Sequence, residues 1–345
     1  MRKIYILLFA LVPVVMLSSC EKALMPKDKS GDPIEVFDEL WKAVDKGYGN
    51  FEYKQVNWDS VYRAYKPLVS NALKDEDLYN VCALMLQIFK DPEIKLDAGF
   101  AQAIYIDTVN HAANFNEDLL KKHYWKSYSE TGPMLYSVVD SMAYFYYRGF
   151  DNGISEEQLN AAIKRVKSMG GVHGTIIDIR DNKGGMPKNT WEVLRHVDIP
   201  DSLNNITSFL YQSQYKSGAK HGDFSEYQDA YIDESSGEKY PGRVMILTNR
   251  GITGAANLLA GGCSSFAKVV LVGDTTGGGG GLISATELPN GWRIYYPSSR
   301  TLSSDGNNVA NGIKPDIVVN MQPADEAKGK DSIIETAIFE LKKDL

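Results

Sequence analysis

The sequence predicts a mixed α/β protein, with a small helical unit leading into a core where strands and helices alternate. Two observations carry this. Between residues 34 and 89 apolar side chains recur at helical spacing, and from residue 134 onward short apolar runs alternate with amphipathic stretches and glycine-rich turns. The 345 residues, 43% hydrophobic and 23% charged, supply the core of one large domain or two ordinary ones. With 37 Lys+Arg against 44 Asp+Glu the formal net charge is -7, and there is no Lys/Arg-rich run. That balance speaks against a protein whose main task is holding nucleic acid or anionic lipid. Three cysteines are too few for a disulfide framework.

Taken in order, the chain opens with Arg2 and Lys3, an apolar run from Ile4 to Leu17, and then Leu17-Ser18-Ser19-Cys20. This resembles a bacterial lipoprotein signal spanning 1–19, cut before Cys20 so that its thiol carries the lipid. About 14 apolar residues fall short of the roughly 20 that a bilayer-spanning helix needs. The expected location is the cell envelope, on a bacterial membrane and facing the periplasm or the surface. Cleavage removes two positive charges and leaves an acidic, tethered domain. Residues 20–32 read as a flexible tether, because they are Lys-, Asp-, Gly- and Pro-rich without periodicity.

The helical unit covers 33–97. Ile34, Phe37, Leu40, Trp41 and Val44 form one stripe ended by Gly47 and Gly49, Val61 to Leu68 a second helix, and Asp77 to Phe89 a third. The aromatic residues here, Trp41, Tyr48, Tyr53, Trp58, Tyr62 and Tyr65, have the spacing of helix-packing core. The core covers 98–325. Its strands are read at Met134–Val139, Met142–Tyr147, Gly174–Arg180, Ile206–Tyr215, Val244–Thr248 and Val269–Val272. Helices are read at Glu156–Met169, Trp191–Val197 and Gly254–Gly262, with a polar excursion from Lys216 to Gly242. A C-terminal helix is assigned to 326–345. Cys82 and Cys263 sit in apolar or small-residue runs and read as buried free thiols, although a bridge between them is open in an oxidising compartment.

Five segments, in order, bring a family into view: "FKDPEIKL" (89–96), "GTIIDIRDNKGG" (174–185), "VMILTNRGITGAANLLA" (244–260), "VVLVGDTTGGGGG" (269–281) and "ANGIKPDIVV" (310–319). Together they are similar to the tail-specific, or C-terminal processing, serine peptidases, in particular the tricorn-core-like branch found as lipoproteins. The resemblance implies a helical subdomain packed on a spiral β/α core of the crotonase and Clp-protease kind. It also implies proteolysis on peptide or unfolded protein segments, with no cofactor. About 35 residues separate Leu96 from Gly132, too few for the PDZ domain that many members carry. Gly184 and Gly185 end a buried strand and are expected to offer backbone N–H groups to an oxyanion or a peptide. Ala255, Gly277, Gly278 and Gly279 are expected to line the same substrate cleft. The glycine run lacks the Lys-Ser/Thr of a P-loop, and no metal-ligand spacing is present.

At the catalytic positions the chain departs from the resemblance. The family's nucleophilic serine falls on Gly254, its general-base histidine on Glu93 and its orienting glutamate on Ala310; the lysine of the Ser-Lys variant falls near Gly279. Glycine has no nucleophile, and a carboxylate of ordinary pKa, about 4, is a poor base for a hydroxyl. The leading expectation is a peptide- or protein-binding pseudopeptidase. Two others stand beside it: an active serine-type endopeptidase using Thr253 as a displaced nucleophile, and a purely structural envelope partner. None of the five histidines offers a substitute base: His173 precedes the "GTIIDIR" strand, His196 follows a helix, and His111, His123 and His221 lie in polar connecting regions, so all read as surface or structural residues.

Overall fold

A computed structural model of the chain describes residues 31–105, 111–198, 207–233, 236–343 and 345. The signal segment, Cys20 and nearly all of the tether lie outside the described residues. The N-terminal layer is helical: α1 (Pro33–Gly47), α2 (Phe51–Lys54), α3 (Trp58–Tyr65) and α4 (Asp75–Gln87). Pro33 opens α1 where a missing N–H costs nothing, and the Asn57 side chain caps α3 by accepting the Ser60 N–H. Phe37, Leu40, Val44, Trp58 and Met85 close a fully buried core with Tyr48, as the aromatic spacing predicts.

That core is completed from the far end of the chain. Strands β1 (Lys95–Asp97) and β2 (Gln102–Ile104) join β11 (Ile283–Glu287) and β12 (Arg293–Pro297) in a sheet of order β11-β12-β1-β2. Leu288, Trp292, Ile294 and Tyr296 of the late hairpin pack among the N-terminal helices.

The main sheet has seven strands in the order β14-β10-β9-β6-β5-β4-β3. They are β3 (Ser129–Thr131), β4 (Met134–Val139), β5 (Met142–Tyr147), β6 (Gly174–Asp178), β9 (Val244–Thr248), β10 (Val269–Gly273) and β14 (Ile317–Val318). β14, β10, β9, β6 and β5 run parallel, while β4 and β3 are antiparallel additions. β5, β6 and β9 are buried along their whole length, as expected of parallel strands covered on both faces. One face is covered by α6 (Glu156–Ser168), α7 (Lys188–Leu194) and α8 (Gly254–Gly262), the other by α5 (Glu117–His123) and α10 (Ser332–Lys342). Ser155 and Gln158 form a capping box on α6. A third sheet, β13-β7-β8, is built from β7 (Thr207–Tyr215), β8 (Gln228–Asp233) and β13 (Ser299–Ser303). A short helix α9 (Pro323–Glu326) precedes α10, which begins six residues later than the 326 boundary read from the sequence.

Arg180, just past β6, is fully buried. It pairs with Asp178 at 2.6 Å and Asp331 at 2.8 Å, and donates to the Asn114 carbonyl at 3.1 Å. Asp331 also caps α10 by accepting the Ile333 and Ile334 N–H groups, so one guanidinium ties the strand end to the last helix. Cys82 and Cys263 are both buried and free, and no bridge joins them. Among the described residues, no helix is long and apolar enough to cross a membrane, and no group of His, Cys, Asp or Glu is arranged to hold a metal.

Candidate functional site

The site forms where the turns after β6 and β9 meet, at the C-terminal ends of parallel strands, where an open α/β sheet leaves room for a ligand. Asn249 holds the two turns together. Its Oδ1 accepts the Asp181 N–H at 3.0 Å and the Gly251 N–H at 3.1 Å, while its Nδ2 donates to the Ala113 carbonyl and to Asp181. The chain then enters α8 at Gly254, whose φ of +57° lies in the left-handed region that glycine occupies without strain.

Glu93, Gly254 and Ala310, distant in sequence, come together around the glycine run. A Cβ built on Gly254 lies 3.8 Å from Glu93 Oε1, so a side chain at 254 would point toward the carboxylate. A Cβ on Gly279 would lie 2.7 Å from Glu93 Cδ, and the Gly279 N–H donates to the Ala310 carbonyl at 3.3 Å. The Gly254 N–H in turn donates to the Gly278 carbonyl at 3.2 Å. With Glu93 in place there is no room at 279 for a lysine.

Glu93 is half-buried, and its carboxylate accepts the Gly280 N–H at 2.7 Å and the Gly281 N–H at 3.1 Å. Its own N–H donates to Asp91 Oδ1 at 2.9 Å, and Asp91 Oδ2 accepts the Tyr48 hydroxyl at 2.6 Å. Loss of solvation, and then the charge of Asp91, push the Glu93 carboxyl up to about 8, against the pull of the two amides and of Lys54. The ordinary value expected from the sequence is therefore corrected: burial and a like charge set this group. A raised pKa alone does not make a base, because both oxygens already hold the glycine strand and the position they face carries no hydroxyl.

One of the two glycines after β6 differs from expectation. The Gly184 N–H is taken by Asn182 Oδ1 at 2.9 Å, so that amide is not open to an oxyanion. Gly184 is glycine for another reason: a Cβ there would lie 2.8 Å from both Ala255 N and the Thr253 carbonyl, so the turn after β6 packs directly on the start of α8. Gly185 lies opposite Phe150 in a parallel bridge whose bonds run from the Phe150 N–H to the Gly184 carbonyl and from the Met186 N–H to the Phe150 carbonyl, so the bridge does not use the Gly185 N–H; a Cβ on Gly185 would meet the Phe150 carbonyl carbon at 2.3 Å. Gly277 donates to the Ile252 carbonyl at 2.7 Å. Ala255 is buried and its carbonyl accepts the Thr190 hydroxyl at 2.7 Å. Much of this wall is knitted to itself rather than displayed. Thr253 Oγ1 donates to the Lys183 carbonyl at 3.2 Å, a partner that cannot take its proton.

A cleft of about 1290 Å³ opens beside these residues, with Thr253, Gly277, Ala310 and Asn311 in its wall. Several contributors were not singled out from the sequence. Lys54 lines the cleft and donates to the Ala310 carbonyl at 3.1 Å; burial lowers its pKa, against the raising influence of Asp91 and Glu93. His111 lines it too, although its segment read as a polar connection. Asn257, fully buried in α8, donates to the Gly279 carbonyl at 2.6 Å and the Val309 carbonyl at 2.8 Å, clamping two walls together. Its signal was legible: it is the one polar side chain in "GAANLLAGG".

Residues 141–319 match the model of peptidase family S41, and residues 32–87 that of the tricorn protease C1 domain. The carboxy-terminal processing proteases CtpB and CtpA of Bacillus subtilis are 27% and 26% identical over 149 and 162 residues, covering 43% and 47% of this chain but 28% and 31% of theirs. The matched stretch thus spans about a third of the length of the curated relatives. A crystallised Parabacteroides merdae protein, provisionally described as a peptidase, superposes with a TM-score of 0.83 at 30% identity, over 90% of this chain and 96% of that one.

Proposed function

The chain belongs to peptidase family S41, and on that premise we propose that it is a lipid-anchored envelope protein that holds peptide or unfolded protein segments in its cleft without cutting them. The observation that supports this reading is the convergence of Glu93, Gly254 and Ala310: the nucleophile position has no side chain, and the carboxylate beside it is engaged by the Gly280 and Gly281 amides. Nucleophilic catalysis requires a hydroxyl or thiol, a base that takes its proton and a group that orients the base. None of the three is supplied at these positions. Anchoring through Cys20 is read from the sequence, and a Cys20→Ser chain is expected to leave the membrane fraction on detergent partition.

The test is mass spectrometry of a diverse peptide mixture incubated with the full chain in mild detergent. A Thr253→Ala variant and a triple variant, Glu93→His with Gly254→Ser and Ala310→Glu, are treated alongside. The wild type is expected to yield retained peptides and no new fragments, with fragments appearing only for the triple variant. Fragments from the wild type that vanish with Thr253→Ala would overturn the reading in favour of an endopeptidase with Thr253 as nucleophile.

A further inference from the structure

The rim of the cleft carries charge of the sign opposite to that of the chain. Three lysines reach it from three separate places: Lys54 from α2, Lys90 from the turn after α4 and Lys183 from the turn after β6. None is in an ion pair among the described residues. Lys54 donates to the carbonyls of Ala310 at 3.1 Å and Lys90 at 3.3 Å, which leaves one of its three N–H groups. Lys183 donates to the Gly251 carbonyl at 2.9 Å, leaving two, and the Lys90 ammonium has no partner among the described residues.

The neighbouring charges among the described residues do not cancel this excess. Arg250 also lines the cleft but is matched by Asp274 at 3.2 Å. Among the described residues Asp181 is the one carboxylate in the lining, and its Oδ1 accepts the Asn249 amide at 2.9 Å. Behind the wall, Asp91 is held by the Tyr48 hydroxyl and the Glu93 N–H, and Glu93 by two backbone amides. Loss of solvation and the charge of Asp91 raise the Glu93 carboxyl to about 8, which disfavours its charged form. Elsewhere in the lining, Val56, Val61, Ile88 and Ile104 present apolar surface, with Ile88 38% and Ile104 43% exposed.

Resting on the peptide-holding reading above, we infer that the cleft selects segments in which carboxylate side chains stand beside apolar ones. Ammonium groups with unspent donors attract carboxylates and repel lysine or arginine, so the charge sets which peptides enter, while the isoleucines and valines supply non-directional burial. Because the lysines are on the rim, the selection weakens with salt, on the scale of a Debye length of about 8 Å at 0.15 M ionic strength.

The experiment measures fluorescence anisotropy of labelled peptides alternating leucine with glutamate, glutamine or lysine, on the full chain in neutral detergent at low and high salt. The glutamate peptide is expected to bind tightest at low salt, by roughly fivefold over the glutamine peptide. A Lys90→Ala, Lys183→Ala double variant, changed only at exposed side chains and leaving Lys54 in place, is expected to lower that ratio at least twofold while keeping the glutamine peptide's affinity. Equal binding of the glutamate and glutamine peptides, or tighter binding of the lysine peptide, overturns the acidic selection and leaves peptide holding intact. Binding by none of the three overturns both.

Discussion

Glu93 shows how far a residue's chemistry is set by its surroundings. Its carboxyl, ordinarily near 4.5, is raised to about 8 by burial and by Asp91. An unfolded chain releases this proton at lower pH than the folded one, so the unfolded state binds fewer protons between those values. Stability from this group is therefore greatest below about 4.5 and is lost as pH rises toward about 8. Urea unfolding midpoints of the wild type are expected to fall between pH 5 and pH 8 relative to those of Glu93→Gln, which lacks the titration. Parallel midpoint curves would show that Glu93 ionises normally. The position of Glu93 was legible because it sits in a short motif. Its electrostatics were not, because two of its partners come from backbone amides 187 and 188 residues further on.

Among the elements, α8 does more than follow a strand. Asn257 satisfies the carbonyls of Gly279 and Val309, and its Oδ1 accepts the Thr276 hydroxyl. Asn257→Ala leaves the Gly279 carbonyl without its donor and the Thr276 hydroxyl without its acceptor, while the Val309 carbonyl keeps the Gly312 N–H, and the expected loss is about 2–4 kcal/mol in chemical denaturation. A loss below 1 kcal/mol would mean that water or a local shift replaces the clamp. Strands such as β5, β6 and β9 could be read directly, since burial on both faces leaves a continuous apolar run. β8 and β11 could not. Both are sheet edges, with burial patterns of mostly exposed or half-buried residues, so β8 disappeared into the polar excursion from Lys216 to Gly242 and β11 into the region after the glycine run. Edge strands are specified by their neighbours' hydrogen bonds, which a single sequence does not display.

For the whole molecule, the N-terminal helices read as a unit ending at residue 97. The structure adds the hairpin of β11 and β12 to their core, through Leu288, Trp292, Ile294 and Tyr296. A fragment covering residues 33–97 is therefore expected to lack a cooperative thermal transition by circular dichroism, where the full chain shows one. A sharp transition in the fragment would show that its helices suffice. The contribution was hidden because sequence order suggests neighbours along the chain, whereas β1 pairs with β12 across some two hundred residues.

This shared core also has a consequence in time. A chain synthesised from its N-terminus exposes Phe37, Leu40 and Trp58 first, yet the side chains that seal them arrive only with residues 288–296. Long-range contacts of this kind delay folding and prolong the exposure of apolar surface. These early helices are thus among the last to become protected, and until then a holding chaperone or an export machine would find their apolar faces accessible.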